Sequence, residues 1–168
     1  MVDLVTRPII TVLIFAAALV IEPGHALAED FLDRLMKSCS EGDKKACAEL
    51  DALAKKLEPQ LERLNAQADQ FQVDAKGLGL QTGTRPNLEK AYPIILHRYM
   101  NSDTVEPIHR KRGLDKKLVL LCSKSFNDLF FVHGRKIGLL PSGEPDWAEI
   151  YLLTIDHYFR YCSRGKGT

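Results

Sequence analysis

Four cysteines are the residues of this 168-residue chain whose chemistry depends most clearly on spacing. Cys39 and Cys47 flank the charged stretch SEGDKKA, and Cys122 and Cys162 lie far apart in the second half. Zinc sites usually pair their ligands as C-x2-C, while redox and covalent haem sites use C-x-x-C or C-x-x-C-H, and none of these occurs here. The spacing therefore favours two disulfides, Cys39–Cys47 and Cys122–Cys162, over a metal or redox site.

Disulfides form in oxidising compartments, and the start of the chain predicts export to one. The apolar run Ile9–Ile21 is followed by Glu22-Pro23 and then by Ala26-Leu27-Ala28, which supplies small residues at the two positions that a signal peptidase inspects. This run is shorter than the roughly 20 residues that a membrane-spanning helix needs. We expect residues 1–28 to be a secretory signal peptide, with no transmembrane span left after cleavage and a periplasmic or secreted product. An uncleaved N-terminal anchor is the alternative.

Charge is balanced overall but segregated along the chain. Residues 29–168 hold 22 basic and 20 acidic side chains, a balance that does not point to nucleic acid. Residues 76–117 carry a net charge of +5, whereas residues 29–75 carry −4. A positive face of this kind suits an anionic envelope component or an acidic protein. The alternative is that these charges are simply solvated, or neutralised by the acidic first helices. The candidate contact residues are His109, Arg110, Lys111, Arg112, Lys116 and Lys117.

Helical periodicity surrounds the first cysteine pair. Apolar residues recur every three or four positions from Asp43 to about Ala75, which predicts one long helix, bent or split at Pro59. A shorter helix is expected from Glu29 to Ser40, with Gly42 and Asp43 forming the turn and the next cap. The two helices form a hairpin whose cysteines can meet across the turn.

The stretch KSCSEGDKKACAEL resembles the junction between helices in the cysteine-rich, tetratricopeptide-like repeats of secreted bacterial proteins. In those repeats two cysteines separated by seven residues join adjacent helices. The resemblance covers some 14 residues and occurs once, and Leu50-Asp51 stands where such repeats favour glycine after the leucine. It implies a disulfide between Cys39 and Cys47 and no particular function.

The second half begins after a glycine-rich segment, residues 76–87, which we expect to be a linker or mobile joint between two helical halves. Asn87 can cap a helix that a proline at position 93 kinks or restarts. Asp115 can cap another helix that ends near Gly134. Its predicted buried face comprises Leu118, Leu121, Cys122, Ser125, Leu129 and Val132.

The last helix is aromatic and is expected to begin at Glu144-Pro145-Asp146-Trp147, with the proline in its first turn. If it packs antiparallel to the preceding helix, Cys122 and Cys162 lie opposite each other. Apolar residues surround these helices on too many sides for a simple hairpin. Either other helices cover the aromatic side chains, or one side forms a partner surface or ligand groove. The candidate aromatic contacts are Trp147, Tyr151 and Tyr158.

Catalytic signatures are weak. The sequence has no nucleophile elbow, H-E-x-x-H motif, phosphate loop or calcium loop. Asp156-His157, with Glu149 two turns earlier, is the nearest approach to an acid–base cluster, although a polar edge beside the core is the simpler interpretation. No cofactor is indicated, and no catalytic residue is assigned.

The sequence predicts an all-α, disulfide-stapled bundle of four or five helices, with an N-terminal hairpin and an antiparallel C-terminal helix pair. The best functional hypothesis is a non-catalytic exported binding or accessory protein that engages a protein or an anionic envelope partner. The alternative is a small-ligand carrier or hydrolase with a pocket between the two helical halves.

Overall fold

The computed structural model describes residues 25–131 and 137–163. Within these residues the chain forms six α-helices, a π-helical turn and a short β-hairpin, which confirms the predicted all-α, disulfide-stapled class. The chain divides into two compact units between Arg63 and Leu64. The predicted signal peptide lies outside the described residues except for positions 25–28, which begin the first helix.

The first unit is a helical hairpin. Helix α1 spans His25–Ser40, and α2 begins at Lys44 and continues to Gly77 in the second unit. Gly42 has φ of 99°, a conformation that glycine adopts without strain and that ends α1. The Asp43 carboxylate then accepts a hydrogen bond from the backbone N–H of Lys45 at 2.8 Å and so caps α2, as predicted.

A disulfide and a small leucine cluster hold this hairpin together. Cys39 is bonded to Cys47, with their Cα atoms 4.7 Å apart. Leu32 of α1 and Leu57 of α2 are buried, and the partly buried Leu50 and Leu61 pack against them. Four leucines make a small core, so a covalent link at the turn is a large part of what stabilises the hairpin.

Pro59 lies inside α2, and the helix runs as one element from Lys44 to Gly77. This confirms the single-helix form of the prediction for the stretch from Asp43 to Ala75. Proline removes one backbone donor from a helix. Both Pro59 and Lys55, four residues earlier, are exposed, so water can satisfy the Lys55 carbonyl that loses its partner.

The second unit begins within α2 and continues into a small hairpin where the sequence predicted a linker without strands. Strand β1, Gln81–Thr82, pairs antiparallel with β2, Arg85–Pro86. Leu80 just before the hairpin is fully buried, and Pro86 within it is also buried. Two-residue strands are too short to show alternation in a sequence, which explains why none was predicted.

Four helices complete the second unit. Helix α3 spans Leu88–Met100, α4 spans Pro107–Arg112, α5 spans Lys116–Phe131 and α6 spans Trp147–His157. A π-helical turn, Tyr158–Cys162, extends α6. Helix α4 was not predicted because its six residues are mostly polar and too few to show a helical repeat.

Side-chain caps begin three of these helices, and the caps of α3 and α5 are the residues that the sequence predicts. The Asn87 side chain accepts a hydrogen bond from the backbone N–H of Lys90 at 3.1 Å, and that of Asp115 accepts one from Lys117 at 3.0 Å. Asp146 caps α6 in the same way. Pro145 therefore precedes the cap and does not lie in the first helical turn, because the Asp146 carboxylate supplies the capping acceptor.

Aromatic side chains fill the core of the second unit, where α3 packs against α5 and α6. The rings meet edge-on or tilted at centroid distances of 5.0 to 6.3 Å, which is the geometry that aromatic pairs prefer. The C-terminal pair is antiparallel, since Cys122 near the start of α5 is bonded to Cys162 at the end of the π-helical turn. The largest fully buried side chains include Phe71, Leu80, Tyr92, Ile95, Tyr99, Ile150 and Tyr151.

The buried face of α5 differs from the prediction. Cys122 is buried as expected, but Leu121 and Ser125 are exposed, while Phe126 and Phe130 are buried. The two phenylalanines bring larger aromatic surfaces into the core than the leucine stripe does, and Phe126 packs against Tyr92 at 5.5 Å between ring centroids. Val132 and Gly134 of that prediction lie outside the described residues.

Gly138 marks a close approach between the loop before α6 and the helix itself. Its φ is 65°, and a Cβ at this position would overlap the side chain of Ile150. Only glycine can adopt this positive φ without strain and also leave room for the Ile150 side chain. The loop is held further by a hydrogen bond from the Gly138 N–H to the Glu149 carboxylate at 2.8 Å.

Candidate functional site

His157 is the buried histidine of the C-terminal helix pair. It ends α6, is 5% exposed, and hydrogen bonds on both ring nitrogens. Its Nδ1 lies 2.8 Å from the Tyr92 hydroxyl of α3, and its Nε2 lies 3.3 Å from the Ser125 hydroxyl of α5. One imidazole thus connects three helices of the second unit.

Burial decides the charge of this group. Removal from water lowers the pKa of His157 to about 4, so the ring is neutral at pH 7. Burial also raises the pKa of the Tyr92 hydroxyl, which therefore remains protonated. A neutral imidazole has one donor and one acceptor nitrogen. When Nδ1 carries the proton, it donates to Tyr92 and leaves Nε2 free to accept from Ser125.

A serine beside an oriented histidine is the arrangement that nucleophilic catalysis requires. Ser125 is exposed, as a nucleophile must be. However, it lies in the middle of α5, where the neighbouring backbone N–H groups take part in helical hydrogen bonds and are not free to stabilise an oxyanion. The imidazole can accept a proton from the serine. The site, however, lacks free backbone N–H groups to stabilise the negative charge of the oxyanion that would form next.

The carboxylates of the predicted acid–base cluster are engaged elsewhere. Asp156 forms an ion pair with Arg160 at 2.5 Å, and Glu149 accepts a hydrogen bond from Gly138. Burial raises the pKa of Glu149, while its backbone hydrogen bond opposes that shift. The partners of the His157 ring are instead Tyr92 and Ser125, which hydrogen bond to its two nitrogens and were not predicted from the sequence. Only the contacts between helices reveal them.

The predicted basic segment, residues 109–117, divides into one buried anchor and several exposed cations. His109 is buried, and its ring lies 5.0 Å from that of Phe159. Arg110 is exposed and donates to the Ser102 carbonyl at 2.5 Å. Lys111 is exposed too, and Arg112 ends α4. The anchor fixes the helix to the core while the flanking cations face solvent.

The three candidate aromatic contacts lie in the core. Trp147, Tyr151 and Tyr158 are all buried, the first two beside Phe71. Tyr151 donates to the Gln67 side chain at 3.2 Å. Other helices cover these rings, as the first of the two sequence-based alternatives had it, because each ring is large enough to stabilise the small unit by burial. None of the three forms part of the surface.

An exposed face of α5 combines cationic and apolar side chains. Five exposed residues follow one another along this face: Lys116, Lys117, Leu120, Leu121 and Lys124. Leu120 is 64% exposed and Leu121 is 60% exposed, values that are high for leucine. We call this set, together with Tyr161, the lysine–leucine surface. The first two lysines were predicted contact residues, whereas Leu121 was predicted to lie on the buried face of α5.

Tyr161 belongs to this surface because the disulfide fixes its position beside α5. It directly precedes Cys162, which is bonded to Cys122 of α5. Its ring is 70% exposed and lies 5.2 Å from the ring of His157, which itself contacts Ser125 one turn after Leu121. Tyr161 is therefore connected to α5 both through His157 and through the disulfide.

Within residues 25–131 and 137–163, no group of three or more His, Cys, Asp or Glu side chains is arranged to hold a metal ion. In the same part of the chain, no helix has the length and apolar character needed to cross a bilayer.

Comparison of the chain with protein-family models, with curated proteins and with solved structures found no match in any of the three.

Proposed function

We propose that this chain is a non-catalytic exported binding protein that engages an anionic component of the cell envelope. The observation that carries the proposal is the exposure of Arg110, Lys111, Lys116 and Lys117 in a segment anchored by buried His109. Two disulfides are compatible with an oxidising exported location. The burial of the aromatic candidates leaves these cations as the better supported of the two contact sets.

The test is binding of the oxidised chain from residue 29 to a labelled soluble polyanion, such as dextran sulfate, at increasing salt. Reversing all four charges to glutamate is expected to weaken binding by at least about tenfold, since each exposed ionic contact contributes up to about 1 kcal/mol. The matched control reverses four exposed lysines of α2: Lys44, Lys45, Lys55 and Lys56. Equal losses in the two variants, or binding that salt does not weaken, would contradict the proposal.

One observation favours a second candidate, the hydrolase. Ser125, His157 and Tyr92 form a hydrogen-bonded chain with the serine exposed. If the chain is catalytic, the Ser125 hydroxyl adds to an acyl carbon while its proton passes to Nε2 of His157, which then gives the proton to the leaving group as the bond between that group and the acyl carbon breaks. A fluorophosphonate probe should then label the protein and fail to label Ser125→Ala and His157→Gln. Absence of labelling in the folded wild-type protein argues against this candidate.

A further inference from the structure

We propose that the lysine–leucine surface docks on a lipid bilayer that contains anionic headgroups. The inference rests on the proposed function and names its partner. It goes beyond a general preference for negative charge, because it assigns a role to apolar side chains that a soluble polyanion would not need.

The apolar groups of this surface are exposed and lie close together in the fold. Leu120 and Leu121 are adjacent on the exposed face of α5, and the Tyr161 ring contacts His157, which hydrogen bonds to Ser125 one turn after Leu121. Leu120 and Leu121 are each more than half exposed at consecutive helical positions, so together they form a larger apolar area than a single exposed residue does. Tyrosine is enriched where one end of a side chain is apolar and the other is wet, as at the bilayer interface.

The charge of the lysine–leucine surface complements anionic headgroups. Lys116 and Lys117 precede the leucines by one turn, and Lys124 follows by one turn. The carboxylates of this stretch lie at its ends, Asp115 as the cap of α5 and Asp128 one turn beyond the last lysine. Lysine stems cover apolar surface while their ammonium groups reach headgroup phosphates. An apolar centre flanked by lysines is the pattern of an interfacial helix face.

Protein occupants fit the lysine–leucine surface less well than a bilayer does. A second copy of the chain would bring the lysines of one protomer close to those of the other, which is unfavourable. A standard protein interface uses about 20 to 30 residues on each side, whereas this surface has three apolar and three cationic side chains. Peripheral lipid contact needs less area, because a few inserted side chains and several headgroup contacts act together.

The experiment is co-sedimentation of the intact, oxidised chain with vesicles of phosphatidylglycerol and phosphatidylcholine, compared with phosphatidylcholine alone. We expect binding only when phosphatidylglycerol is present. Changing Lys116, Lys117 and Lys124 to glutamine should reduce the partition coefficient about fivefold for each lysine removed.

The apolar contribution is tested with the double variant Leu120→Ser, Leu121→Ser. It is expected to lose about tenfold or more in vesicle binding and to keep its binding to dextran sulfate. The matched control is Val73→Ser with Leu140→Ser, two exposed apolar residues that lie outside the lysine–leucine surface. This control should bind vesicles as the wild type does.

Insertion is followed with the variant Tyr161→Trp. An indole at this exposed position should shift its emission to the blue on phosphatidylglycerol vesicles, while the native Trp147 is buried and should contribute little change. Circular dichroism of each variant establishes that it is folded. A blue shift that occurs with phosphatidylglycerol vesicles, and does not occur with phosphatidylcholine alone, supports docking at this surface.

The outcomes separate the inference from the proposed function. Binding to dextran sulfate without binding to vesicles overturns the lipid inference and leaves the proposed function standing. Vesicle binding that the leucine variant does not weaken also overturns it. Self-association in sedimentation velocity that the leucine variant abolishes would identify a second copy as the occupant. Failure to bind either polyanion or vesicles removes both proposals.

Discussion

A single neutral histidine links the stability of the second unit to pH. His157 is enclosed by Tyr92, Phe126 and Tyr161, with the Ser125 hydroxyl on its outer nitrogen. Its folded-state pKa of about 4 lies below the usual value of 6.5. Between these two values the unfolded chain binds a proton that the folded chain does not. Stability therefore rises with pH across this range and is lost on acidification.

We predict that acidification from pH 6.5 to pH 4 removes roughly 2 to 3 kcal/mol of unfolding free energy through this group. Denaturant unfolding of His157→Gln, which retains polar groups but does not titrate in this range, should show a correspondingly shallower dependence on pH. The control is His97→Gln at an exposed position, which should follow the wild type. Parallel profiles for the wild type and His157→Gln would contradict this assignment.

Polar residues at helix ends were easier to predict than the inward face of a helix. Asn87, Asp115 and Asp43 were identified as caps because their side chains act on the next few backbone N–H groups, which is a local effect. Helix α5 has apolar side chains on both sides, so periodicity alone could not decide between Leu121 and Phe126. The choice depends on the aromatic partner on α3, which the sequence does not reveal.

At the scale of elements, each disulfide closes a different kind of connection. Cys39–Cys47 joins sequence neighbours across one turn, whereas Cys122–Cys162 closes a 40-residue loop that includes α5 and α6. Both pairs were predictable because hairpin spacing and antiparallel packing restrict which cysteines can meet. The hydrogen bonds around His157 were not predictable, since they depend on how α3, α5 and α6 pack against one another.

We predict that replacing Cys122 and Cys162 together with alanine costs about 4 kcal/mol, and that the corresponding change at Cys39 and Cys47 costs about 2 to 3 kcal/mol, because the longer loop gains more freedom on unfolding. Guanidinium unfolding of the two double variants measures the difference. Intact mass before and after reduction should first show a gain of four hydrogens. Equal costs for the two variants would indicate that loop length does not determine the effect.

At the scale of the whole molecule, the two units differ in how much they bury. The described core of the first unit is a leucine cluster around Leu32 and Leu57, whereas the second unit has a large aromatic core. Most of the stabilisation from burial therefore belongs to residues 64–163. The glycine-rich segment at 76–87 was expected to separate two halves, but the division into units falls earlier, inside α2.

We predict that backbone amides of residues 30–57 exchange with deuterium faster than those of α3 and α6, because opening the first unit exposes fewer apolar side chains. Hydrogen exchange read by mass spectrometry at peptide resolution measures this. Reduction of Cys39–Cys47 in a variant that lacks the other pair should accelerate exchange in the first unit. Uniform protection along both units would show that the chain opens as one cooperative structure.

The π-helical turn at Tyr158–Cys162 has a consequence for tracing the ancestry of this chain. Its closing hydrogen bond joins the Ser163 N–H to the Tyr158 carbonyl five residues earlier, so the turn contains one residue more than an α-helical turn. Such a turn is what a single-residue insertion into an α-helix produces. Removing one residue would rotate everything after it by about 100°. A homologue without the insertion should therefore show a one-position alignment gap within this turn. The two cysteines that correspond to Cys122 and Cys162 should then be separated by one residue fewer than in this chain.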